Sequence, residues 1–322
     1  MAELKPKATR DGFGEGLVEL GRVDKNIVVV SADLTESTRA NWFKKEFPDR
    51  FFAMGIAEQD MFDTAAGLAL AGKTAFACTF AVFASGRAWD QIRVSLCYME
   101  TNVKIGATHG GISVGPDGAT HQALEDIALM RALPNMKVIV PADSNQAKKA
   151  TIAAAACKGP VYLRMGRSPV PYVTDEKEKF EIGKIDLLKN GPHAGAGKTV
   201  AIIACGIMVY NALEASKILQ AKGIDAMVLN AHTIKPIDKD AICKAAKETG
   251  AIVTCEEHSV IGGLGSAVAE VVGKFGPAVP IEMVGVQDMF GESGEAEQLV
   301  KKFHLALEDI AAAAEKAIKR KK

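Results

Sequence analysis

Glu58 stands at the start of an apolar stretch, MGIAEQDMFDTAAGLALAG (54–72), whose density of Ala, Gly and Leu predicts a largely buried helix. An acid in a first helical turn is favoured by the macrodipole and needs no further role, which accounts for Asp60 and Asp63. Glu58 admits a second reading. A carboxylate taken out of water holds a proton more tightly and can share it with a bound heterocycle. Further on, CTFAVFASGRAWDQ (78–91) leaves a strand and sets Phe80 and Phe83 three apart, a spacing that suits two core phenylalanines. His109 and His121 flank a Gly-rich loop, THGGISVGPDGATHQ (108–122), a better setting for a ligand than an apolar helix face. Asp143, in PADSNQ, reads as a helix N-cap with no catalytic part.

Composition narrows the class. The 322 residues are 48% hydrophobic and 24% charged, with Lys+Arg and Asp+Glu equal at 39 each. That balance argues for neither a nucleic-acid nor a membrane-surface partner, and the terminal IKRKK reads as a solvated last helical turn. No uncharged apolar run reaches membrane-spanning length, and MAELKPKATRD has no signal-peptide core. The six cysteines are scattered without a CxxC pair, which points to a reducing cytoplasm. The histidines show no ligand spacing, so no metal site made by this chain alone is expected.

The elements that must position these residues alternate. Short β-branched runs at 26–33, 74–79, 103–109, 136–143 and 160–165 are separated by helical patterns near 12–22, 57–72, 83–99, 122–132 and 144–157. Several runs are apolar at consecutive positions, which predicts strands buried on both faces of a mostly parallel sheet. After Pro171 the chain turns charged and then Gly-rich over 174–197, the pattern of a linker with room for one strand. A second alternation begins at KTVAIIACG (198–206) and closes with a helix near 305–320. The expectation is two α/β domains, residues 1–175 and 191–322, joined by a linker at 176–190.

Read as a unit, GIAEQD followed by TFAVF resembles the pyrimidine-binding domain of transketolase. The resemblance extends through ATR (8–10), SADLTES (31–37), the 108–122 loop and YLRMGRSP (162–169), and the second domain is similar to the family's C-terminal domain. It therefore covers nearly the whole chain, but only the last two of the family's three domains. The resemblance implies that Glu58 contacts the aminopyrimidine ring nitrogen of thiamine diphosphate and that Phe80 and Phe83 wall its pocket. It places Asp33 and Leu34 on the thiazolium side, and Arg10, Ser37, His109 and Arg164 around the phosphate of a sugar phosphate. Asp117 would read a sugar hydroxyl and His121 would act near the reacting carbons. A planar guanidinium fork suits a phosphate. Many members carry Tyr where this chain has Gly86, so the pocket is expected to be more open there unless Trp89 or a partner residue fills it.

Two other motifs are set aside. GGLGSAV (262–268) lacks the full dinucleotide fingerprint, and helix–strand packing explains its glycines. PDG (116–118) with Asn145 downstream imitates the GDG…Asn pair that holds magnesium diphosphate, but Pro116 replaces the first Gly and the segment already belongs to the THQ motif. No other candidate for that loop occurs, so Mg2+ (or Ca2+) and the diphosphate are expected to be held by a separate N-terminal-half subunit carrying GDG. The resulting expectation is the C-terminal-half subunit of a two-component transketolase, an α2β2 assembly moving a two-carbon ketol unit between sugar phosphates. Deoxyxylulose-phosphate synthase shares the architecture but is normally one longer chain. Beta subunits of 2-oxo-acid dehydrogenases act on substrates without phosphate, which the Arg10, Ser37, His109 and Arg164 set opposes. A non-catalytic regulatory subunit would have no need of Glu58, both phenylalanines and His121.

Overall fold

The computed structural model describes residues 5–191 and 198–321; the Gly-rich stretch 192–197 lies outside them. The consecutive apolar runs form strands with no solvent-facing side: Ile27–Ser31, Val103–Thr108 and Thr199–Ala204 are buried at every position. Strands of this kind need helices on both faces and pair in parallel.

The first sheet has seven strands in the order Thr233–Lys235, Lys137–Ile139, Val161–Arg164, Val103–Thr108, Thr74–Phe80, Ile27–Ser31, Phe51–Ala53. All its pairings are parallel except that of the edge strand Thr233–Lys235, which comes from the second half of the chain. The second sheet runs Ile281–Val286, Ile252–Ser259, Thr199–Ala204, Asp225–Asn230, Asp186–Lys189, with only the last strand antiparallel. The chain is thus α/β with two mostly parallel sheets. Asp186–Lys189 lies inside the expected linker and belongs to the second sheet, and Thr233–Lys235 ties the second unit back to the first. Among the described residues no helix is long and apolar enough to cross a membrane.

Topology places the site. Ile27–Ser31 has Phe51–Ala53 on one side and Thr74–Phe80 on the other, so the chain leaves it in one direction and returns on the opposite flank. At such a switch point the loops beyond the carboxyl ends of the strands diverge and leave a crevice. The segments that follow Ser31, Ala53, Phe80, Thr108 and Arg164 all emerge at that edge. They carry Asp33, Leu34, Ser37, Glu58, Phe83, His109, Asp117 and His121, while Phe80 and Arg164 end their strands and Arg10 sits in the first turn of helix Thr9–Val23.

One expected helix differs. The pattern over 83–99 predicts one continuous element, but the structure breaks it into Ala81–Ser85, Trp89–Gln91 and the π-helical Ile92–Tyr98. The break is at Gly86, whose backbone (φ −88°, ψ −86°) is not helical. A Cβ there would lie 2.7 Å from the carbonyl oxygen of Val82, so this turn leaves no room for a side chain.

Candidate active site

Glu58 is the first residue of helix Glu58–Leu70 and is only 2% exposed. Met61 and Phe62 on the same helix are fully buried, each contributing roughly 1.5–3 kcal/mol and fixing the helix start in place. The carboxylate is not neutralised by the macrodipole alone: Arg87 Nη1 donates to Glu58 Oε2 at 3.2 Å. Beside it Phe80 and Phe83 lie nearly parallel, with centroids 5.8 Å apart and planes 14° apart. Phe80 is buried, but Phe83 is half-buried, and the Arg87 guanidinium sits 4.5 Å from its ring centroid. The pair is therefore not simply core. His109 stacks on Phe80 at 3.8 Å, and His121 turns its edge to Phe83 at 5.4 Å and to Phe80 at 6.1 Å.

A cationic group adjoins this aromatic cluster. Arg10 Nη1 donates to the carbonyl of Ser37 at 3.0 Å and stands 3.5 Å from His109 Nε2, while Arg10 Nε is buried without a partner. Arg39 pairs with Asp11 at 2.6 Å, and Arg167 approaches Asp117 at 3.7 Å while donating to the carbonyl of Val114 at 2.6 Å. Burial, then the neighbouring Arg39, pulls the Arg10 guanidinium below its ordinary value. Burial first, and then Arg10, Arg167 and Arg39, push His109 down to about 3. His109 is therefore a neutral imidazole at physiological pH, and its Nδ1 pairs with Thr108 Oγ1 at 2.9 Å. A neutral ring among guanidinium groups can hydrogen-bond a ligand without adding charge.

That shift has a consequence for stability. Between about pH 6.5 and about pH 3 an unfolded chain binds a proton at His109 that the folded chain refuses, so stability falls as pH falls through this window. His109→Gln is expected to flatten the slope of unfolding free energy against pH there by up to about 1.4 kcal/mol per pH unit. Denaturant titrations at pH 4 and pH 6 measure it, and an unchanged slope would mean that His109 protonates normally in the fold.

The second domain holds the Gly-rich loop in place. Ser113 N–H donates to Glu257 Oε1 at 3.0 Å, and Gln122 Nε2 donates to the carbonyls of Ile112 at 3.1 Å and Glu292 at 2.9 Å. Gly111 (φ 93°) lies so close to Glu257 that a Cβ would come within 2.8 Å of the glutamate's own.

A buried carboxylate at a helix start, a stacked aromatic pair and a His–Arg cluster at one sheet edge meet their match in known proteins. Residues 5–172 match the transketolase pyrimidine-binding domain, and residues 191–310 match the transketolase C-terminal domain. The chain belongs to the transketolase family. It is 49% identical over 307 residues to a putative transketolase C-terminal section of Methanocaldococcus jannaschii, covering 95% of this chain and 94% of that one. It is 42% identical over 319 residues to the 6-deoxy-6-sulfo-D-fructose transketolase subunit SqwH of Clostridium sp. (strain MSTE9), covering 99% and 97%. Among solved structures it resembles a split gene transketolase described as an inactive beta4 tetramer, with a TM-score of 0.90, 51% identity and coverage of 98% and 99%. These are relatives on the scale of the whole chain, and they include separately encoded transketolase subunits.

Within this transketolase-family site, Arg164 is more deeply set than Arg10 and Ser37, two of the other residues expected to hold the phosphate. Arg164 is 5% exposed and points into the protein, its Nε donating to Asp126 Oδ2 at 2.8 Å and its Nη2 to the carbonyl of Ala123 at 3.1 Å. Burial alone would pull it down, but beside Asp126 its guanidinium is held above its ordinary value. Nε and Nη2 are thus held by the fold, while no hydrogen bond to Nη1 is found among the described residues. Arg167, three residues on in the same motif, is the arginine beside His109 and Asp117. Asp33 and Leu34 stand on the loop after Ser31, Asp33 exposed in a left-handed conformation (φ 56°) and Leu34 half-buried with its carbonyl accepting from Thr38 Oγ1 at 2.9 Å. Trp89 does not fill the space beside Gly86, for its Nε1 donates to the carbonyl of Leu129 at 3.3 Å and its ring packs on the core.

The motifs set aside have structural explanations. The helix start after GGLG is closed by the chain's own Glu256, whose oxygens accept from Leu264 N at 2.7 Å and Gly265 N at 2.8 Å, and burial pushes that carboxyl up to about 7. Asn145 donates to the carbonyl of Thr174 at 3.3 Å. Asp143 caps helix Ser144–Ala156 by accepting from Gln146 N at 2.8 Å, as expected, and also receives Val173 N and Thr174 N. Sequence reasoning missed Arg39, Arg87, Arg167 and Glu257. Arg87 lies four residues from Phe83, but with the helix broken at Gly86 that spacing is not a helical one.

Proposed function

We propose that this chain supplies the pyrimidine half of the thiamine diphosphate site in a two-component transketolase, whose assembled form moves a two-carbon ketol unit from a ketose phosphate to an aldose phosphate. The single observation that carries this is Glu58: a carboxylate excluded from water, at a rigid helix start, beside the half-buried ring of Phe83. That donor set fits an aminopyrimidine, which needs a flat apolar face and an acceptor for its ring nitrogen. It does not fit a metal diphosphate. The Mg2+ and diphosphate belong, on this proposal, to a partner subunit with a GDG loop, in an α2β2 assembly.

Thiamine diphosphate, when bound, stabilises the carbanion formed on cleaving the donor's carbon–carbon bond. The roles of this chain's residues follow from their chemistry. Glu58 holds a proton at the pyrimidine ring nitrogen. Phe80 and Phe83 orient that ring, and Asp33 and Leu34 border its thiazolium side. His121, at the edge of the aromatic pair, hydrogen-bonds the donor sugar near the reacting carbons, and Asp117 accepts from a sugar hydroxyl. Arg10, Ser37, His109 and Arg167 cradle the terminal oxyanion, the guanidinium forks giving charge and direction while neutral His109 adds a hydrogen bond. The same cradle suits a sulfonate, the group named in the SqwH relative.

The test is reconstitution. The purified chain alone should show no ketol transfer and should bind thiamine diphosphate poorly, and adding the GDG-bearing subunit should restore both. Full turnover by the single chain would overturn the two-component reading. Assays with a phosphorylated and a sulfonated donor separate the two oxyanions.

A further inference from the structure

Arg87 touches both surfaces that an aminopyrimidine would use. Its Nη1 donates to Glu58 Oε2 at 3.2 Å, and its Cζ lies 4.5 Å from the centroid of Phe83. A guanidinium is a flat group edged with N–H donors, so it satisfies a carboxylate and an aromatic face together. A heterocycle bonded to Glu58 and lying against Phe83 needs the same two surfaces. The two occupants compete for one place.

The backbone delivers Arg87 there. The break at Gly86 turns the chain out of helix Ala81–Ser85, and the Cβ restriction at that residue keeps the turn bare. Trp89, two residues on, is turned inward to Leu129.

The pair is also asymmetric. Glu58 is 2% exposed, whereas the Arg87 side chain is 49% exposed. A buried carboxylate left without a partner is costly, but a half-exposed arginine returns to water at little cost. Such a pair is suited to exchange: Glu58 keeps a partner throughout, and Arg87 is the partner that can leave.

We propose that Arg87 is a placeholder in the cofactor site, holding Glu58 and Phe83 in the arrangement the aminopyrimidine uses and yielding to solvent as that ring enters. This rests on the reading of Glu58 and Phe83 as cofactor-binding residues. Its thermodynamic signature is specific. A contact made only in the cofactor-free form stabilises that form and weakens apparent cofactor affinity.

The test uses Arg87→Ala and Arg87→Lys, with Glu58→Ala as control. Two readouts are taken: the melting temperature of the cofactor-free chain, and the calorimetric Kd of the assembled two-subunit enzyme for thiamine diphosphate in saturating Mg2+. Arg87→Ala is expected to melt a few degrees lower than wild type and yet bind thiamine diphosphate about 3- to 10-fold more tightly. Lysine keeps the charge without the planar fork and should fall between the two. Weaker binding by Arg87→Ala would make Arg87 a direct cofactor contact, and an unchanged Kd would make it an ordinary surface residue; either overturns the proposal. If wild-type binding is absent or indifferent to Glu58→Ala, the cofactor reading itself fails and the placeholder with it.

Discussion

Replacing Glu58 with alanine is expected to lower turnover of the assembled enzyme by a factor of about 10²–10⁴, the range for loss of a positioned acid–base group. The fold should survive. Met61, Phe62, Ala65 and Ala66 anchor the Glu58 helix in the core, and none of their packing depends on the carboxylate. The change also removes the cost of keeping a charge out of water, and Arg87, half in solvent already, hydrates when its partner goes. Circular dichroism melts of the variant should therefore lie near those of wild type while ketol transfer collapses. Glu58→Gln keeps the shape and one acceptor oxygen but cannot take up a proton, so it should retain more cofactor affinity than alanine and recover little rate. Near-normal turnover in either variant would sink the role assigned to Glu58.

The burial of Glu58 shows where sequence is informative and where it is not. The apolar run behind it predicts the helix and its core face, because an Ala-, Leu- and Gly-rich segment has few other places to go. Whether the first carboxylate faces water depends on what covers the helix start, and that comes from residues 80–87, which reach it only through the sheet order. The strands themselves were legible, since runs such as IVVV and TVAIIA leave no charged face. Thr233–Lys235 was not: three residues joining the far edge of another domain's sheet have no periodicity to reveal them. The broken helix over 83–99 escaped for a related reason. Its spacing continues smoothly, and the interruption arises from backbone crowding at Gly86 against Val82, which hydrophobic pattern does not record.

The arginine pair in YLRMGRSP separates the two kinds of inference most sharply. On an edge strand Arg164 would be an ordinary surface arginine, and the family resemblance alone gives it a phosphate. Val161–Arg164 instead lies between Lys137–Ile139 and Val103–Thr108, and all four of its residues are buried. Arg164 thus had to find an internal anion, and it found Asp126, which is fully buried and also accepts from the Tyr162 hydroxyl at 2.7 Å. Arg164→Ala would leave that carboxylate without its cation, and the expected loss of stability is about 3–5 kcal/mol. Arg167→Ala should cost less, about 1 kcal/mol for its hydrogen bond to the Val114 carbonyl, because its side chain is 35% exposed and its carboxylate neighbour lies at 3.7 Å. Its effect belongs on substrate binding. A charged hydrogen bond to a phosphate contributes about 1.5–3 kcal/mol, equivalent to roughly a 10- to 150-fold rise in KM. A terminal phosphate is held alike before and during reaction, so kcat should barely move. Denaturant titration and steady-state kinetics on both variants decide the matter. If Arg164→Ala folds like wild type and raises KM while Arg167→Ala does neither, the phosphate belongs to Arg164 and the ion pair with Asp126 is incidental.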